Sequence, residues 1–156
     1  MMLLPWALVF LGNAIAQTDT EPLLAEPSIA PDGSEVAFAS GGGIWVAPLK
    51  GGKARRLVSG AFDESRPVFS PDGAKLAFIS TRTGGGDIYV MQLATGAVSR
   101  ITFTEGPEVL DGWSRDGKWL YYSMISSDIA RMADVYRVRS EGGTPVPTVA
   151  ERYVSE

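Results

Sequence analysis

Phe69-Ser70-Pro71-Asp72-Gly73-Ala74-Lys75-Leu76-Ala77-Phe78 is the stretch that decides the fold of this chain. It reads as the end of one strand, a tight turn and the start of a second strand. Proline presets φ at the second turn position, aspartate bonds to nearby backbone, and glycine accepts positive φ. The same turn returns upstream as Pro31-Asp32-Gly33 and downstream as Arg115-Asp116-Gly117. Asp32, Asp72 and Asp116 are thus 40 and 44 residues apart, inside the roughly 40–50-residue period of stacked repeats. Residues that recur in this way serve the repeat. Pro31, Asp32, Gly33, Pro71, Asp72, Gly73, Asp116 and Gly117 are therefore assigned to structural turns, not to acid chemistry or cation binding.

Outward from the second turn, Pro67-Val68-Phe69 and Lys75 to Ser80 read as strands. The glycine-bearing loop Thr81 to Gly86 leads to a third strand, Asp87 to Leu93, and a turn at Ala94-Thr95-Gly96 leads to a fourth, Val98 to Thr102. Four strands in one repeat is the content of a propeller blade. The first copy follows the same grammar through Ser28-Ile29, Glu35 to Ala39, Ile44 to Ala47 and Ala54 to Val58. The third runs through Leu110 to Ser114, Trp119 to Ser123, an insertion that has room for one helical turn (Ile125 to Met132), Asp134 to Val138 and Thr144 to Val149. Leu76 to Ile79 is apolar on successive residues, as expected of a sheet covered on both faces. The fold class is all-β, a partial β-propeller of three four-stranded antiparallel blades over about 28–60, 65–104 and 109–149. Closed propellers hold about 4–8 blades. The expectation is that the chain either belongs to a longer protein or self-associates, two three-blade halves closing one ring, and that residues 150–156 open a further blade or form a tail.

Composition excludes more than it proposes. The 156 residues contain no cysteine and no histidine, which removes thiol chemistry, disulfides, imidazole-ligated metal and every triad that uses imidazole as base. A net charge of −4 argues against a nucleic-acid partner. Residues 1–16 carry no charged side chain. They hold an apolar run, Leu3 to Leu11, and end in Ala14-Ile15-Ala16, a small-x-small site suited to signal-peptide cleavage. The run is shorter than the roughly 20 residues a membrane-spanning helix needs. The expectation is a signal peptide, export to the periplasm or medium, no membrane insertion after cleavage, and a linker over 17–27.

The quoted stretch, together with Asp87-Ile88-Tyr89-Val90-Met91 and Arg100-Ile101-Thr102, resembles the WD40-like PD40 repeat of TolB-type propellers. The first copy departs by Ile29-Ala30 where an aromatic residue and serine are usual, and the third by Arg115 in place of proline. A narrower resemblance lies in Thr81 to Tyr89, Trp113 to Trp119, Asp128-Ile129-Ala130 and Glu141 to Pro145, which look like the amino-terminal propeller of secreted tricorn-like serine peptidases. There the resemblance implies a non-catalytic propeller, upstream of a protease core, that helps admit or select unfolded peptides. The TolB resemblance implies a periplasmic interaction platform. No catalytic residue is carried over, because the core's serine and base have no counterpart within these residues and no G-x-S-x-G elbow occurs.

The functional expectation is a module that binds a protein or peptide and needs no cofactor or metal. Propellers bind through loops and channel, so the candidate partner-binding residues are Arg82 and Asp87 in one loop, and Asp128, Arg131 and Asp134 in the insertion of the next blade. The arginines suit a carboxylate-bearing partner through bidentate pairing. Asp128 and Asp134 lack the alternating carboxylates of a calcium loop. Gly41-Gly42-Gly43 and Gly84-Gly85-Gly86 lack the following helix and Lys-Ser/Thr of a phosphate cradle, and Arg55-Arg56 reads as a charged, solvated strand edge.

Overall fold

The structure is a computed structural model that describes residues 24–58, 60–125 and 133–148. The described residues form three four-stranded antiparallel sheets. Blade 1 holds β1 (Ala25–Ile29), β2 (Glu35–Ser40), β3 (Gly43–Pro48) and β4 (Arg55–Val58). Blade 2 holds β5 (Glu64–Phe69), β6 (Lys75–Ser80), β7 (Asp87–Gln92) and β8 (Val98–Arg100). Blade 3 holds β9 (Glu108–Trp113), β10 (Trp119–Ile125), β11 (Ala133–Arg139) and β12 (Val146–Pro147). Strands follow one another across every sheet, so each blade is a meander with its first strand on the inner edge.

Stacking follows from the alternation of side chains along each strand. Along β6, Leu76 and Phe78 point into a core shared with Ala37, Ile44, Val46 and Val58 of blade 1. Ala77 and Ile79 point the other way, into a core with Leu110, Leu120, Tyr122 and Val138 of blade 3. Successive apolar residues in β6 and β7 therefore serve two interfaces, as their sequence implies. Each junction sets large side chains against small ones. Phe78 and Tyr89, stacked with ring centroids 5.9 Å apart, face the alanine, isoleucine and valine of blade 1.

The turns that decided the fold form one rim. Asp72 Oδ1 accepts hydrogen bonds from Ser70 Oγ (2.6 Å) and Ala74 N (3.0 Å). Asp116 Oδ1 does the same with Ser114 Oγ (2.6 Å) and Lys118 N (3.1 Å). Blade 1 has Ala30 where the others have serine, and Asp32 takes Ser34 Oγ (2.7 Å) and Ser34 N (3.0 Å) instead. The turns also stack blade on blade. Gly73 and Gly117 adopt φ +70° and +69°, and a Cβ on them would lie 3.6 Å and 3.8 Å from the rings of Pro31 and Pro71.

Two boundaries differ from expectation for one reason. β1 begins at Ala25, inside the stretch read as linker, and β5 begins at Glu64, ahead of Pro67. In both, the strand continues past a bulge: Ala25 pairs with Ala39 and Ser65 with Ile79, on the far side of one extra residue. β12 begins at Val146, two residues after the expected Thr144, since Pro145 cannot donate to a ladder. The leader, the helical turn expected after Ile125 and the tail at 150–156 lie outside the described residues.

Candidate functional site

The inner strands β1, β5 and β9 form the edge nearest the propeller axis, and all three carry a bulge at the same place. In β1 Glu26 and Pro27 together oppose Phe38, in β5 Arg66 and Pro67 together oppose Phe78, and in β9 the ladder skips Asp111. Glu26 and Arg66 have φ of 56° and 51°, the only non-glycine residues with positive φ among those described. A long side chain in that region costs roughly 1–3 kcal/mol and persists only where its surroundings enforce it.

The enforcement is visible. Arg66 N donates to Glu26 Oε2 (2.6 Å), and the Arg66 guanidinium lies 3.7 Å from Glu26 Oε1. Arg66 Nη1 also donates to the carbonyl of Leu110 (3.2 Å). One arginine on the central inner strand therefore touches all three blades. Both side chains remain partly exposed, at 43% for Arg66 and 37% for Glu26, so the pair still faces solvent. Further along, Ser28 Oγ accepts from Phe69 N (3.2 Å) and Trp113 Nε1 donates to the carbonyl of Val68 (3.0 Å). Side chains of one inner strand thus satisfy the backbone edge of the next. Asp111 accepts from Ser123 Oγ (2.6 Å) on the same side of blade 3.

The loop Thr81–Asp87 named from the sequence occupies the opposite rim from the turns, and Arg82 and Asp87 are committed inside the structure. Arg82 Nη2 donates to Glu64 Oε1 (2.7 Å) and its Nε donates to Ser80 Oγ (2.8 Å). Its guanidinium sits 4.6 Å from the Tyr89 ring centroid. Glu64 is fully buried, so Arg82 neutralises a charge that water does not reach. Asp87, also buried, pairs with Arg100 Nη2 (2.9 Å) and accepts from the Thr83 hydroxyl. Asp134 lies near the start of β11, as Asp87 does in β7, opposite Met124, and is half-buried. Asp128 and Arg131 lie outside the described residues.

Glu108 is the third buried carboxylate of this rim. It accepts from Ile88 N, Thr102 Oγ1 and Thr104 Oγ1. Burial pushes its carboxyl above the usual value, against the pull of the two threonine hydroxyls, and the charge of Asp87 adds to the push. The turn aspartates behave oppositely. The hydroxyls of Ser34, Ser70 and Ser114 hold Asp32, Asp72 and Asp116 below theirs. Among the described residues, no three acidic side chains converge in a way that would hold a metal ion. Between the turns of blades 2 and 3 runs a groove of about 490 Å³, lined by Lys75, Lys118 and Arg139 together with Asp72, Asp116 and Glu141.

The family model described as the tricorn protease N-terminal beta propeller domain matches residues 21–155. The chain belongs to that family. A relative in Streptomyces coelicolor, tricorn protease homolog 1, is 32% identical over 114 residues, which are 72% of this chain and 11% of that protein. The Tol-Pal system protein TolB of Francisella tularensis is 35% identical over 94 residues, or 56% of this chain and 21% of its own length. The crystal structure of the tricorn protease superimposes with a TM-score of 0.68 at 29% identity, covering 81% of this chain and 13% of that one. The chain therefore spans a small fraction of these relatives, and both resemblances drawn from the repeat hold, as does the partial propeller.

Within this propeller family member, Glu26 and Arg66 are the residues that the sequence did not single out. A signal was present. Glu26-Pro27 and Arg66-Pro67 are one 40-residue repeat apart, each five residues ahead of the turn proline. An X-Pro pair at a fixed offset from a repeated turn marks a fixed break in the inner strand. Arg82 and Asp87 stood out, but as exposed loop residues, because nothing local in the sequence announces the buried Glu64 eighteen residues away from Arg82.

Proposed function

We propose that this chain is an exported, non-catalytic propeller module that binds a protein or an unfolded peptide along its inner-strand face. The observation that carries the reading is the Glu26–Arg66 pair. Two charged side chains are held in a strained backbone conformation, yet remain open to solvent on the face nearest the axis. Strain kept at an exposed charged pair favours recognition over packing. Paired opposite charges along the inner strands suit an extended chain, whose backbone offers both donors and acceptors. The uncharged, apolar sequence of residues 1–16, read as a signal peptide, supports export, and binding would then take place in the periplasm or medium. No helix among the described residues is long and apolar enough to cross a membrane.

A second reading is favoured by the family match: the chain acts as the propeller of a tricorn-like serine peptidase, admitting peptides to a protease core supplied by other sequence. The two readings share the binding face and differ in the fate of the captured chain. Substitution separates inner face from loop rim. Glu26→Ala and Arg66→Ala should weaken capture of a labelled unfolded polypeptide about tenfold, the loss of one charge-assisted contact. If Arg131→Ala weakens it and the two inner-face substitutions do not, the loops bind and the inner face does not.

A further inference from the structure

The turn rim carries one groove twice, between blades 1 and 2 and again between blades 2 and 3, with volumes of about 390 and 490 Å³. The repeat aligns their walls. Leu93 N bonds to the carbonyl of Ala74 and Ser140 N to that of Lys118, both at 3.0 Å, so Leu93 corresponds to Ser140 and Ala74 to Lys118. Lys75 opens β6 as Glu35 opens β2, and Ser70 precedes its turn as Ala30 does. Asp72 and Gly73, which close the first groove, return as Asp116 and Gly117 in the second. A further blade leaves such a groove open, since the first stays open although blade 3 follows it. β10 and β12 both run toward the loop rim, so the chain that continues from them starts at the far edge of the sheets.

The backbone is thus held constant while the side chains change. Glu35 in the first groove becomes Lys75 in the second, Leu93 becomes Ser140 and Ala30 becomes Ser70. Lys118 adds a further cation where blade 2 has Ala74, whereas no cation among the described residues lines the first groove. Glu35 is paired with Arg55 at 3.2 Å, but Lys75 forms no ion pair among the described residues. The aspartates beside it are already engaged, because Oδ1 of Asp72 and of Asp116 each accepts two hydrogen bonds from its own turn. Lys118 Nζ stands 3.8 Å from Asp116 Oδ2, an exposed contact weak enough for a ligand carboxylate to displace.

We propose that the groove between the turns of blades 2 and 3 binds an acidic peptide segment, whose carboxylates pair with Lys75 and Lys118. Glu141 lines the same groove, and it suits a peptide better than a simple anion: the peptide's backbone N–H groups donate to Glu141 while its side chains meet the lysines. Charge complementarity then sets selectivity, favouring acidic over basic segments. This site lies on the turn rim, apart from the inner-strand face, and does not rest on binding there.

A fluorescently labelled oligo-glutamate peptide is the probe, titrated with the full chain. It should bind saturably and more weakly as salt rises. Lys75→Glu restores the residue of blade 1 and should weaken binding about tenfold. Lys118→Ala restores the residue of blade 2, and Lys75→Gln removes the cation without adding a charge beside Asp72. Each should weaken binding about fivefold. Arg66→Ala, on the inner face, should leave it unchanged. Losses in the groove variants that keep the wild-type cooperative melt, with none in Arg66→Ala, support the proposal. It is overturned if the wild-type chain shows no saturable binding, if an oligo-lysine peptide binds as tightly, if the groove variants bind as the wild type does, or if only Arg66→Ala loses binding.

Discussion

The two rims of this propeller use carboxylates in opposite ways. On the turn rim, Asp32, Asp72 and Asp116 are exposed and each bonds to a serine hydroxyl and a backbone amide two residues on. On the loop rim, Glu64, Asp87 and Glu108 are buried and each is compensated differently. Glu64 has Arg82, Asp87 has Arg100, and Glu108 has two threonines and a backbone amide. The turn rim is a local device that each blade rebuilds from its own residues. The loop rim is settled between strands, so each blade needs its own solution. Substitutions should therefore be interchangeable on the turn rim and individual on the loop rim.

The largest expected break in this contrast is Arg82→Ala. It leaves the fully buried Glu64 without its cation and should cost about 3 kcal/mol by chemical denaturation, the lower end for an orphaned buried charge. Glu64→Gln in the same background should recover part of that loss. A cost near zero would mean that Glu64 is not buried as described.

Next in size are the turn glycines. Gly73→Ala and Gly117→Ala meet only ordinary contacts at 3.6 Å and 3.8 Å, so backbone conformation alone sets the cost. Both should lose about 1 kcal/mol, and by the same amount, because both hold φ near +70°. Unequal losses would show that the turns are not equivalent.

Acid sharpens the same comparison. Glu108 titrates above its usual value of 4.5 when folded, so its charge costs stability at neutral pH. That cost recedes as pH falls through the raised value towards 4.5. The turn aspartates titrate below 3.8, so their contribution is complete above 3.8 and is lost as pH falls further. Glu108→Gln should flatten the upper part of a plot of melting temperature against pH, and Asp72→Asn or Asp116→Asn the lower part. If each variant altered the other limb, the assignment of charge to rim would be reversed.

The smallest effect is expected at Arg55, whose exposed pair with Glu35 spans 3.2 Å. Arg55→Ala should change stability by no more than about 0.5 kcal/mol. This agrees with the sequence-based reading of Arg55 as a charged strand edge.

Legibility in the sequence divides along the same line. Turn, strand order, blade count and the double-sided burial of Leu76 to Ile79 were legible, because each depends on residues within one repeat. The bulges at Glu26 and Arg66 were marked only by the repeated X-Pro pair, because a bulge is a mismatch between two strands and shows itself once both are paired. Arg82 was picked out for its charge and its loop, but its buried partner is decided by the pairing of β5 with β6. Likewise, the departure of blade 3 from the apolar pattern emerges only when Arg137, paired with Tyr121, is set against Val46 and Val90 in the same register position.

Capture of an extended chain along the inner strands stands or falls on a binding titration. A fluorescently labelled, permanently unfolded polypeptide would be titrated with the wild-type chain and with the charge-reversed pair Glu26→Arg/Arg66→Glu, alongside the two single reversals. Inner-strand capture requires saturable binding to the wild-type chain, loss in each single reversal, and altered selectivity between acidic and basic polypeptides in the double reversal. Equal binding by all four, with all four melting cooperatively, would rule it out.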